Sequence, residues 1–155
     1  MGAGKTTIGE RIAEQTQRRF VDLDAMIEAM RQESIAGTFA RLGEAGFREL
    51  EAELLPEGLA RADVLAVGGG AVERVVSRRL LLDRGLVVWL DAPFAVLWGR
   101  IARVAGRPLV TQRSQPELAA LHDARRRAYA EAHHRVDASK PADQVAAEVL
   151  SLWFA

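Results

Sequence analysis

Three short apolar runs constrain this chain most: Phe20-Val21-Asp22-Leu23-Asp24, Val64-Leu65-Ala66-Val67 and Leu86-Val87-Val88-Trp89-Leu90. Each is too short for a helix, and each runs into acids or glycines. Between them lie longer stretches of helical pattern. Buried strands that alternate with helices predict a parallel α/β sheet. Ligands gather at the carboxyl ends of the strands in such sheets. Asp22 and Asp24 after the first run, and Gly68-Gly69-Gly70 after the second, fall at such ends.

The helical stretches are expected over 25–33, 34–42 with Ser34 as a cap, 43–62 with Pro56 as a break, 72–82, 94–104, 116–132 and 142–153. Arg135-Val136-Asp137 is short and reads as a further strand. The 155 residues fit one domain, taken as 1–155, with no repeat or linker in view. Twenty-one basic residues balance 21 acidic ones, which argues against general binding to nucleic acid or a membrane surface. The absence of cysteine excludes disulfides, thiolate nucleophiles and Cys-based zinc sites. No signal-peptide layout or spanning apolar run is present, so a cytoplasmic location is the default. His122, His133 and His134 lack metal-ligand partners and are expected at the surface.

The chain opens with Gly2-Ala3-Gly4-Lys5-Thr6-Thr7, the back half of a phosphate-binding loop, and a helical pattern follows at once. Glycines let backbone N–H groups wrap an anion, and the helix N-terminus behind them adds partial positive charge. Lys5 can reach β- and γ-phosphates, and the Thr6 hydroxyl can ligate Mg²⁺. Only Lys5 and Lys140 are lysines, which makes the ammonium at position 5 informative. The alternative is a glycine-rich frayed terminus. Asp22 and Asp24 lie two apart, so on a strand they would face one way, one supporting Mg²⁺ and one meeting an acceptor hydroxyl. Solvated turn acids remain the alternative. Arg48 and Glu51 share a helix face; a guanidinium there can grip a carboxylate, or the pair can be a surface salt bridge. Gly68 to Gly70 permit close ligand approach or make a tight turn. Arg107 opens a polar loop that could swing over a phosphate, or it simply follows a helix end.

The order of these motifs resembles the shikimate kinase family. The resemblance runs from residue 2 to about 137, and is carried best by Gly43-Glu44-Ala45-Gly46-Phe47-Arg48-Glu49-Leu50-Glu51 and Val67-Gly68-Gly69-Gly70-Ala71-Val72. It implies a three-layer α/β/α P-loop fold like that of the nucleoside monophosphate kinases, with helices on both faces of a parallel sheet. Residues 1–155 would lack that fold's first strand, and a Met is usual at this place inside the family motif, so the start is expected further upstream. The resemblance also implies a lid at about 104–116, ATP and Mg²⁺ as cofactors, and shikimate as acceptor.

Site roles follow from the same resemblance. Gly2, Ala3, Gly4, Lys5, Thr6 and Thr7 would hold ATP, with Thr6 and Asp22 at Mg²⁺. Arg103 would lie against the adenine. Lys5, Asp24 and Arg107 would be catalytic. Asp24, Arg48, Glu51, Gly69, Gly70 and Arg125 would bind shikimate. A monomer is expected, with a small-molecule substrate and neither nucleic acid nor membrane as partner. The competing readings are a non-catalytic effector-binding domain of the same fold and a kinase of another small hydroxy acid such as gluconate.

Overall fold

The computed structural model describes residues 2–102 and 113–155. In chain order the elements are α1 (Lys5–Thr16), β1 (Phe20–Asp22), α2 (Leu23–Arg31), α3 (Ile35–Arg61), β2 (Val64–Ala66) and a 3₁₀ turn (Ala71–Glu73). Then come α4 (Val75–Arg84), β3 (Val88–Asp91), α5 (Phe94–Ile101), α6 (Gln115–Tyr129), β4 (His134–Asp137) and α7 (Ala142–Trp153).

All described strand pairing is parallel. β1 pairs with β2 in the register Phe20 to Val64, and β3 pairs with β4 in the register Val88 to His134. Two cores flank these pairs. Leu23, Ile27, Phe47, Leu54 and Leu55 form one beneath α2 and α3, and Leu65 and Val87 pack against it. Ile8, Ile12, Val136, Val145 and Ala146 form the other beneath α1 and α7, and Val64 and Val88 pack against that one. Val64 and Leu65 are neighbours on one strand, as Val87 and Val88 are next to each other in the chain. Because successive strand residues point to opposite faces, the two cores are the two sides of the strand layer. This is the expected α/β/α layering.

Among the described residues β2 and β3 are not paired with each other, so the strand layer is two separate sheets. A cavity of about 610 Å³ borders both, lined by Ile8, Ile12, Val64, Leu65, Val88 and Leu90 among others.

Four expectations need correction. The first strand stops at Asp22 instead of continuing to Asp24, because the Asp22 carboxylate accepts from the Asp24 N–H at 3.0 Å and so starts α2. The boundary expected between 42 and 43 is a bend at Gly43 (φ 69°, ψ 179°) within the long α3, but Pro56, expected as a break, sits exposed within a continuous helical stretch. His122 is buried, packing its ring at 5.9 Å from that of Phe94, because it lies on the face of α6 that meets α5. The expected helix from Val72 to Leu82 divides into the 3₁₀ turn and α4, separated by extended backbone at Arg74. Ser34 caps α3 as expected, accepting from the Gly37 N–H.

Candidate active site

The phosphate loop owes its shape to two glycines in the left-handed region, Gly2 (φ 65°) and Gly4 (φ 82°). An L side chain at either position would be strained. Gly4 precedes α1 without any side-chain cap, so the first-turn amides of Lys5, Thr6 and Thr7 are left to an anion. Arg100 ties the loop down by donating to the Gly2 carbonyl at 3.4 Å and the Ala138 carbonyl at 2.9 Å.

From this loop the Thr6 hydroxyl donates to Asp22 at 2.6 Å. Lys5 Nζ stands 3.7 Å from Asp22 Oδ2 and 3.6 Å from Asp24 Oδ2. The two acids therefore converge as the sequence suggests, although a strand end followed by a helix turn brings them together. Oxygen donors from one hydroxyl and one carboxylate suit Mg²⁺, which keeps several waters and shares its shell with phosphates. Among the described residues no cluster of three or more His, Cys, Asp or Glu could cage a metal.

Asp24, Lys5 and Thr6 line a cavity of about 1080 Å³ together with Asp22, Arg48, Glu51, Gly68, Gly69, Gly70 and Arg125. Arg48 and Glu51 are no surface pair. Arg48 donates to Glu51 at 2.6 Å, and Glu51 is only 1% exposed. Burial pushes the Glu51 carboxyl above its ordinary value, and the neighbouring Arg48 charge opposes that rise. Glu51 Oε1 and Arg48 Nε are buried without partners among the described residues. Arg48 also lies over the Phe47 ring at 5.4 Å.

The glycine triplet is required by space. A Cβ on Gly68 would come within 2.6 Å of Glu51 Oε1 and 3.4 Å of Asp24 Oδ1. One on Gly69 would strike the Tyr129 hydroxyl, and one on Gly70 would strike the Arg48 guanidinium. Each glycine thus makes room for a different polar side chain.

On the far side, α6 presents Arg125 and Tyr129 one turn apart. Tyr129 donates to the Gly69 carbonyl at 3.1 Å. Arg125 donates from Nε and Nη2 to the two Glu73 oxygens at 2.8 and 3.2 Å. Burial alone would lower the Arg125 pKa, but the Glu73 hydrogen bonds and the other nearby groups hold it above its ordinary value. Burial likewise raises the Tyr129 phenol.

The structure thus gathers Lys5, Thr6, Asp22, Asp24, Arg48, Glu51, Gly69, Gly70 and Arg125 about one space, while Gly2, Ala3, Gly4 and Thr7 line the adjoining cavity. Arg103, Arg107 and most of the expected lid lie outside the described residues. Sequence reasoning missed Glu73 and the Glu44–Arg113 pair at 3.1 Å. Glu73 sits three residues beyond the glycine triplet, but its partner Arg125 lies 52 residues on, so the sequence carries no local signal for the pair.

An open-amide glycine loop with Lys5 and Thr6, at the mouth of paired parallel strands between helical layers, defines a P-loop α/β domain of the small-molecule kinase type. The chain belongs to the shikimate kinase family: the model of that family, described as "Shikimate kinase", matches residues 1–153. Shikimate kinase from Burkholderia pseudomallei is 44% identical over 144 residues, covering 91% of this chain and 78% of the relative. The protein of the same name from Geobacter sulfurreducens is 43% identical over 152 residues, covering 96% and 84%. The solved shikimate kinase from Acinetobacter baumannii in complex with shikimate superposes with a TM-score of 0.93 at 37% identity, covering 99% of this chain and 88% of that one.

Proposed function

We propose that this protein transfers the γ-phosphoryl group of ATP to the 3-hydroxyl of shikimate. The observation that carries the reading is that Lys5 and the Arg48–Glu51 pair line one cavity, and that Asp24 lines it too, 3.6 Å from Lys5. Arg48 and Arg125 bind the acceptor's carboxylate, so that its ring lies along the glycine triplet. Asp24 takes the hydroxyl proton as the oxygen bonds to the γ-phosphorus. The bond from that phosphorus to the β,γ-bridging oxygen breaks, and ADP leaves.

Lys5 and the first-turn amides of α1 compensate charge on the phosphates. Thr6 and, through water, Asp22 would hold Mg²⁺, which supplies charge neutralisation at the phosphates when bound. On the sequence resemblance, Arg103 lies against the adenine, and Arg107 adds charge at the transferring group from a lid at about 104–116. The same reading has the protein act as a monomer in the cytoplasm, on a small molecule and without nucleic acid or membrane. The balance of 21 basic and 21 acidic residues supports the exclusion of those two partners.

The test is ADP release with ATP, Mg²⁺ and a panel of hydroxy acids. Turnover is expected with shikimate and not with gluconate. Shikimate binding without turnover would favour an effector-binding domain and overturn the proposal. Arg48→Ala and Asp24→Asn are each expected to lower kcat/KM by about 100-fold or more in proteins that still fold, with Arg48→Ala melting lower because it leaves the buried Glu51 without its cation.

A further inference from the structure

Arg125 is only 4% exposed, yet the acid that holds it comes from a solvent-facing turn. Glu73 ends the 3₁₀ turn that follows the glycine triplet, and it grips the Nε–Nη2 edge of the guanidinium with both oxygens. That side-on grip fixes the plane of the group and leaves Nη1 directed to the glycine loop, 3.8 Å from where a Cβ of Gly69 would stand. One turn along α6, Tyr129 holds the Gly69 carbonyl. The turn and the helix are thus joined at two points, with the Nη1 corner of the guanidinium between them. Arg48 also has an acid of its own, Glu51, although there the contact is a single one to Nη1.

We propose that Glu73 is the positioning residue for Arg125, presenting its Nη1 corner to the carboxylate of the acceptor. The inference rests on the shikimate reading above. Glu73 itself does not touch the acceptor. It acts by sparing Arg125 the loss of rotamer freedom that binding would otherwise exact. The acceptor then gains two arginines already oriented, each steadied by its own acid.

The experiment is steady-state kinetics on Glu73→Ala and Glu73→Gln, varying shikimate and ATP separately, with inhibition by the carboxamide of shikimate as a reference. Wild-type turnover is measured first; its absence overturns the substrate reading, and this inference with it, separately from any variant. Given turnover, Glu73→Ala is expected to raise KM for shikimate about tenfold, which is ~1.4 kcal/mol. KM for ATP and the inhibition constant of the uncharged carboxamide should move by less than about twofold. Glu73→Gln keeps one acceptor oxygen but turns an amide NH2 toward a guanidinium N–H, so it should recover only part of the loss. If the alanine variant does not fold, Glu73→Asp, whose shorter arm withdraws the oxygens, takes its place. An unchanged or lower KM for shikimate, an equal rise for ATP, or a glutamine variant no better than alanine would overturn the proposal.

Discussion

Gly70 shows how a single hydrogen can serve binding more than folding. A methyl group there would collide with the end of the Arg48 side chain, which can swing aside at small cost to the fold. What it cannot do is swing aside and still meet a carboxylate. Gly70→Ala is therefore expected to melt within a few degrees of the wild type but to raise KM for shikimate at least ~10-fold, as read by thermal melting beside initial rates. The sequence shows Arg48 and Glu51 on one helix face, but spacing alone cannot tell a surface pair from one whose acid is 1% exposed. The structure decides this by laying the glycine triplet across both. Glu73 stays hidden in the sequence for a related reason. Its partner lies 52 residues away, and no local period links the two.

Element boundaries in the sequence are clearest where periodicity acts alone and fail where a side chain overrides it. The span of α7 comes straight from its pattern, Ala142–Trp153. β1 ends early because the Asp22 carboxylate caps the next helix, so a residue of chemical interest also sets an element boundary. Of the two interruptions expected along α3, at 42/43 and at Pro56, only the first is there. A proline at an exposed helical position can leave to water the carbonyl four residues before it, here that of Ala52, whereas Gly43 adopts φ 69° and ψ 179°, a conformation open almost only to glycine. No atom lies within 4 Å of a Cβ built on Gly43, so the constraint is one of backbone angle and not of space. Gly43→Ala is accordingly expected to cost ~1–3 kcal/mol in urea unfolding. It should also weaken acceptor binding, since Phe47 and Arg48 sit just past the bend. A variant as stable as the wild type would show that the bend can be made another way.

At the scale of the molecule, the α/β layering and the site at the strand ends were legible from alternation and from acids and glycines after apolar runs. Among the described residues the strand layer is two sheets, with β2 and β3 unpaired. The facing edges of β2 and β3 border a cavity of about 610 Å³ whose lining includes Ile12, Val64 and Val88. Gly2 lines that cavity as well. Unmade backbone hydrogen bonds along such edges cost ~1–3 kcal/mol each where water is excluded. A chain with about five β-branched residues added ahead of Gly2 should therefore melt several degrees higher than residues 1–155, by filling the gap with a parallel strand. An equal melting temperature would mean the edges are satisfied already. The bare glycine loop has a different consequence. Having no side chains, Gly68 to Gly70 can make room but cannot choose among guests. Discrimination between acceptors falls to α3 and α6, so any redesign of acceptor preference has to be made on helix faces, with the loop left alone.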